Sequence, residues 1–370
     1  MRILLVGTGV HSIPPMHGGA VEKIEATLLK EFSKSHEVYI TDIEKHDHGI
    51  FIKKYNFPQP LTEVIFGFRS LIASIRIKPD ITHCHTVFTA LPFAIFNRKF
   101  VYTSHNPAWT VKNIDFPNRI ILGIEQYIMK RSTGFTVVSR SMEYNIANKY
   151  PELSKKIHAI YNFADTRTFS PKYRKIWKRK HNIKKDIILF VGKPTFNKGI
   201  SYLLQAFQNL NRKNPNTILV IAGSVGFETK KTNPWKKLVK NLNIENDIIF
   251  TGSVNEADLQ QIYPSADVFC LPSLREGFPV VILEAMASGL PIVATNVSGI
   301  PEAVNKKNSY LVPPENPEAL EEALLKALKN KKSMSRESLK LSRQFNVKKI
   351  VNDYLKFYEE ILNKYQKGSA

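Results

Sequence analysis

DVFCLPSLREGFPVVILEAMASGLPIVAT, residues 267–295, decides the fold. It opens on an apolar strand at 267–271 and passes through a turn at Glu276-Gly277-Phe278-Pro279. It then carries Glu284 in a helix and closes on a second apolar strand at 291–294. Strands this uniformly rich in Val, Ile, Leu and Phe suit a parallel sheet covered on both faces, and a helix between two of them is the crossover such a sheet needs.

The same unit recurs in both directions. Strands are predicted at 2–6, 37–41, 80–84, 99–103 and 134–138, and a second series at 186–191, 217–222, 247–251, 267–271 and 291–294. Helical periods separate them. In 61–75, Leu61, Val64, Ile65, Phe68, Leu71, Ile72 and Ile75 share one face, expected to be the buried one. Strand–helix alternation means a doubly wound α/β sheet, here twice. The two series part at a polar, basic stretch, 163–185. The predicted domains are therefore 1–163, joined by a C-terminal helix at 347–366, and 164–346.

No apolar run approaches the ~18 residues of a spanning helix. The N-terminus, MRILLVGTGV, reads as a buried first strand and not as a signal peptide, and the protein is expected in the cytoplasm. Cys84 and Cys270, the only cysteines, sit in apolar runs and read as reduced core thiols. The net charge of +21 is uneven, with 18 basic and 4 acidic residues, +14, in 166–250. A field that localised suits phosphate-bearing partners. Within it, 172–185 (KYRKIWKRKHNIKK) mixes Tyr173, Ile176 and Trp177 with eight basic residues, and Trp235 opens WKKLVK. Together they read as a contact with an anionic membrane, at ~1 kcal/mol per cation near its surface.

Ligands of open α/β sheets bind beyond the carboxyl ends of the strands, so the chemistry is sought in the loops that follow them. In GTGVHSIPPMHGGAVEK, 7–23, Ser12 stands where a dinucleotide fingerprint needs its third glycine, but Gly18 and Gly19 open a helix whose N–H groups suit a phosphate. His83 and His85 lie around one strand and His105 ends the next; no third ligand at metal spacing accompanies them. His105 is the best placed to meet a ligand. Lys193 and Lys198 bracket the loop FVGKPTFNKGI and suit a diphosphate. No Asp-x-Asp occurs, so the simplest holder of a metal–diphosphate is missing and no metal is expected. Glu276 and Glu284, eight residues apart, would span ~12 Å in a continuous helix, about the reach from a donor sugar to its ribose.

The segment from Glu276 to Glu284 resembles the E-x7-E signature of retaining, GT-B-fold glycosyltransferases of family four. The resemblance runs almost end to end. GGAVEKIEATLLKEF, DITHCHT, VYTSHN, FTVVSRSM, IYNFADTRTFSP, FVGKPTFNKG and VSGIPEAV each resemble a segment of that family. It implies two Rossmann-like domains facing each other across a cleft. It also implies that Gly18 and Gly19 face the donor diphosphate, His105 the transferred sugar, and Lys193 and Lys198 the leaving group. Glu276, with the backbone of Gly277, Phe278, Pro279 and Val280, would bind sugar hydroxyls, and Glu284 the ribose. Two departures stand out: the family usually has Arg at Lys193, and Asn162-Phe163-Ala164-Asp165 lacks its interdomain glycine.

The function expected is metal-independent transfer from a nucleotide-sugar with retention, onto a membrane lipid or lipid-linked glycan at the cytoplasmic face. The rival readings are a GT-B-like epimerase of sugar nucleotides, which needs no acceptor, and a basic nucleic-acid-binding module. The latter leaves Glu276 and Glu284 unexplained.

Overall fold

The computed structural model describes residues 1–15, 19–45, 47, 49–53, 57–110, 116–224 and 234–367. The chain divides into two compact units, Met1–Asn162 with Val347–Ala370, and Phe163–Asn346.

Among its described residues the first unit holds seven parallel strands: β1 (Arg2–Val6), β2 (Glu37–Asp42), β3 (Gly49–Phe51), β4 (Ile81–Cys84), β5 (Val101–Ser104), β6 (Gly134–Val137) and β7 (Ile157–Ala159). Their order is β3-β2-β1-β4-β5-β6-β7. Ile3, Leu4, Leu5 and Val6 are fully buried, as a central strand covered on both faces requires. The helices are α1 (Ala20–Phe32), α2 (Leu61–Ile77), α3 (Val87–Ile95), α4 (Phe116–Arg131) and α5 (Arg140–Lys149).

The second unit has β8 (Asp186–Val191), β9 (Thr217–Ala222), β10 (Ile248–Gly252), β11 (Val268–Leu271), β12 (Ile292–Thr295) and β13 (Ser309–Val312), ordered β10-β9-β8-β11-β12-β13. That is the doubly wound order 3-2-1-4-5-6, with its switch point between β8 and β11. Its helices are α6 (Ile176–Lys180), α7 (Ile200–Lys213), α8 (Pro234–Asn241), α9 (Glu256–Ile262), α10 (Val280–Ala287), α11 (Ile300–Ala303), α12 (Pro317–Lys329) and α13 (Lys331–Ser342).

The last helix, α14 (Val347–Lys367), belongs to the first unit and buries Ile350, Tyr354, Phe357, Tyr358 and Ile361 there. A Cβ on Gly134 would come within 2.5 Å of Ile361 Cδ1, so α14 packs closely on the start of β6 and a larger residue there would make the Ile361 side chain turn aside. Cys84 and Cys270 are buried free thiols, one in each unit. Among the described residues no helix is long and apolar enough to cross a membrane.

Two expectations are overturned. Helix α2 forms, but the apolar stripe assigned to its buried face mostly meets water: Leu61, Phe68, Ile72 and Ile75 are 37–53% exposed. The buried side carries Thr62, Phe66, Gly67, Ser70 and Leu71. Close packing explains the choice: a Cβ on Gly67 would lie 2.6 Å from the Thr89 carbonyl of α3, and Ser70 donates to Thr41 and to the Phe66 carbonyl. The second concerns the aromatic anchors of the basic run. Trp177 is buried against His181, and its backbone N–H donates to Ser265. Lys178 pairs with Asp267, and the Trp235 indole N–H donates to the Pro194 carbonyl. Arg174, Lys175, Arg179 and Lys180 remain exposed, but Trp177 is core.

Candidate active site

In the second unit the loops after β8 and β11 meet at the switch point. After β8 the chain passes Gly192 (φ 138°) and the exposed Lys193, makes a tight turn through Phe196–Lys198, and enters α7 at Gly199 (φ 69°). The Leu274 N–H donates to the Asn197 carbonyl at 2.9 Å, tying this loop to the one after β11. Lys198 Nζ reaches Glu276 Oε1 at 2.5 Å, and Ser273 Oγ donates to the same oxygen at 2.6 Å. Among the described residues Oε2 has no hydrogen-bond partner, so it is the oxygen available to a ligand hydroxyl. The Glu276 N–H donates to Ser298 Oγ at 3.4 Å, which fixes the backbone.

The following turn is buried from Glu276 to Pro279, and the Phe278 ring packs on Phe345 at 5.4 Å between centroids. What Gly277, Phe278 and Pro279 can offer a ligand is therefore mainly backbone, and Val280 is the first residue of α10. Glu284 accepts from the Tyr263 hydroxyl at 2.7 Å and is nearly buried. Here the spacing estimate needs correcting. Only the half of the Glu276–Glu284 segment from Val280 is helical, so a continuous helical rise does not measure the separation of the two carboxylates.

The first unit places Gly19 (φ 72°) at the start of α1; a Cβ there would lie 2.6 Å from Glu22 Oε2. Glu22 accepts from Thr8 Oγ1 at 2.7 Å. Gly18 lies outside the described residues. Glu25 is fully buried with neither carboxylate oxygen bonded, and burial beside Glu22 and Asp42 holds its pKa well above the usual range.

The three histidines form a stack. His83 is structural: its nitrogens lie 2.6 Å from the Tyr358 hydroxyl and 2.7 Å from Thr103 Oγ1. His85 Nδ1 lies 3.2 Å from His105 Nε2, the rings stacked at 5.5 Å. His105 alone of the three keeps partial exposure. Burial lowers the pKa of His83 to about 3 and of His105 to about 4. At neutral pH His105 is thus an uncharged imidazole, able to hydrogen-bond but not to act as a cation. In an NMR titration the C2 protons of His83 and His105 should hold neutral shifts from pH 8 down to about pH 5; protonation of either near 6.5 overturns this.

Sequence reasoning missed the group that holds the His105 loop. Glu125 of α4 is buried and accepts four bonds, from Tyr102 (2.8 Å), Ser104 (2.6 Å), Asn106 (3.1 Å) and the Trp109 indole (2.9 Å). The only signal was a single acidic residue, followed by Gln126, within the mostly apolar stretch 120–129.

Two family models match the chain: Glycosyltransferase Family 4 over residues 26–168, and Glycosyl transferases group 1 over 173–341. An uncharacterized glycosyltransferase of Haemophilus influenzae is 31% identical over 274 residues, 72% of each chain. The fold resembles sucrose-phosphate synthase from Thermosynechococcus elongatus (TM-score 0.83, 18% identity, 98% of this chain and 100% of that one). It also resembles Anabaena HepE in complex with UDP-glucose (TM-score 0.75, 18% identity, 99% and 100%). The two Rossmann-like units are those of the GT-B fold. The chain belongs to the family four glycosyltransferases and is a glycosyltransferase.

Proposed function

We propose that the protein transfers a glycosyl group from a nucleotide-sugar to a membrane lipid or lipid-linked glycan, with retention and without a metal. The observation that carries the donor half is the Lys198–Glu276–Ser273 cluster at the switch point of the second unit. Open α/β sheets bind ligands there, and the cluster offers an ammonium group for a diphosphate and a carboxylate for sugar hydroxyls. HepE, similar in fold, binds UDP-glucose in its solved complex.

In this reading Lys193 and Lys198 neutralise the diphosphate as its bond to the anomeric carbon breaks. Gly19 at the start of α1 lets a backbone N–H approach it, as Gly18 does by sequence. Glu276 and the backbone of 277–280 hold the sugar, Glu284 the ribose, and neutral His105 a sugar hydroxyl. The acceptor oxygen bonds to the same face of the anomeric carbon, and its proton passes to a leaving phosphate oxygen. The acceptor half rests on the net charge of +21 and on the exposed apolar surface of α2.

A thermal-shift screen against nucleotide-sugars tests the donor, since a ligand at ~100 times its Kd adds ~2.7 kcal/mol. Transfer by metal-stripped protein should persist in EDTA, and NMR of the product should show the donor's anomeric configuration. A strict requirement for Mn²⁺ or Mg²⁺, or an inverted product, rejects the corresponding part. Product formation without any acceptor would favour an epimerase.

A further inference from the structure

The second unit carries a groove at the end of its sheet away from the donor cluster. The floor is formed by Pro264–Asp267, which lead into β11, and Gly289–Pro291, which lead into β12. It therefore lies at the amino ends of the parallel strands, whereas Lys198 and Glu276 follow the carboxyl ends of β8 and β11. One wall comes from Pro171, Arg174, Lys175 and Lys178, the other from α13, and the space is about 770 Å³, room for a small-molecule ligand. Gly289, with φ 79° at the end of α10, leaves it open: a Cβ there would stand 3.2 Å from Ser335 Oγ and 3.4 Å from Leu339.

The acids at its base are already paired. Asp267 meets Lys178 at 3.1 Å and Lys331 at 2.9 Å, and Asp186 meets Lys331 at 2.9 Å. Arg174, Lys175, Lys332 and Arg336 are exposed on the two walls, and among the described residues none of them has an acidic partner. Lys332 and Arg336, about one helical turn apart, share a face at the amino end of α13, whose first turn holds no acid and has no side-chain cap. Cations placed there oppose the helix macrodipole, and a bound anion would offset both. Ser335, half-buried on the same turn, makes no side-chain hydrogen bond among the described residues and can donate to such an anion.

The lining also says what kind of anion. It has no aromatic ring, so nothing in it stacks on a base, which disfavours nucleotides and single-stranded nucleic acid. Among the described residues the second unit exposes two large apolar side chains, Ile176 and Phe196, and neither lines the groove, so it has nothing to insert into a bilayer. Four unmatched cations balance two phosphomonoesters, at about −1.5 to −2 each. We infer that this groove is a second ligand site, separate from the donor cluster, which binds a small sugar or polyol carrying two phosphate groups. Arg174 and Lys175 hold one phosphate, Lys332 and Arg336 the other, and Ser335 donates a hydrogen bond between the walls.

The test is calorimetric titration of the full chain with fructose bisphosphate, against fructose monophosphate and sulfate at equal ionic strength. It is run in a Lys193→Ala, Lys198→Ala background, which removes the donor-site cations. That protein should still bind one bisphosphate per chain, at least about tenfold more tightly than the monophosphate or sulfate. Adding Lys332→Gln with Arg336→Gln, or Arg174→Gln with Lys175→Asn, should weaken binding at least about tenfold; asparagine suits position 175 because φ there is 65°. Ser335→Trp keeps every cation but fills the groove, and should abolish binding. Each set is first shown to melt like its background, and where one does not, the other two decide. No binding in the background protein, unchanged binding by the cation sets or by Ser335→Trp, or no preference for the bisphosphate over sulfate would overturn the inference. So would tighter, groove-dependent binding of a single-stranded RNA oligonucleotide or of vesicles containing phosphatidylglycerol.

Discussion

Glu276→Ala is expected to slow glycosyl transfer at least about a hundredfold, ~2.7 kcal/mol of transition-state stabilisation, with the fold intact. The carboxylate is held by Lys198 and Ser273 on one oxygen and has the other available to a sugar hydroxyl. Removing it takes away a sugar contact and leaves the Lys198 ammonium without its counter-charge, free to move off the diphosphate. Glu276→Gln keeps the length and one acceptor oxygen but loses the charge opposite Lys198, so it should fall between. Lys198→Ala should cost at least about 2 kcal/mol in kcat/KM by removing a charge-assisted contact to the leaving group. Glu284→Ala, farther along in α10 and bonded to Tyr263, should mainly weaken nucleotide binding. Full activity in both Glu276 variants rejects the assignment.

The strands that build the two sheets were legible because burial on both faces writes itself as unbroken apolar runs, as in RILLV, DIILFV and TILVIA. Strands β3, β7 and β13 were missed: each is three or four residues long, lies at a sheet edge and has partly exposed positions. Glu276 and Lys198 could be named from their places after strands, but their direct pairing depends on the parallel neighbourhood of β8 and β11, 78 residues apart. Glu125 was illegible for the same reason, since its donors come from 102–109. The α2 reading failed differently. Periodicity finds an apolar face, but which face is buried was decided by the close approach of Gly67 to α3. Trp177 shows the opposite error, a core side chain hidden among eight basic neighbours.

Gly199→Ala should destabilise the second unit by about 3 kcal/mol or more and lower transfer along with it. Gly199 has φ 69°, where an L-residue costs roughly 1–2 kcal/mol, and its added Cβ would sit 1.9 Å from the Pro272 carbonyl oxygen. That oxygen is backbone and cannot swing away. Either the turn through Lys198 or the chain leaving β11 toward Glu276 must shift, and both belong to the donor cluster. Gly252 separates the two costs. It has the same φ of 69° at the end of β10, and a Cβ there would meet nothing within 4 Å. Gly252→Ala should therefore show the backbone penalty alone, roughly 1–2 kcal/mol, with transfer unchanged. Urea midpoints at constant m-value give both numbers. Equal destabilisation by the two alanines, or a Gly199→Ala protein with wild-type transfer, would mean that the approach to Pro272 does not set the geometry of Lys198 and Glu276.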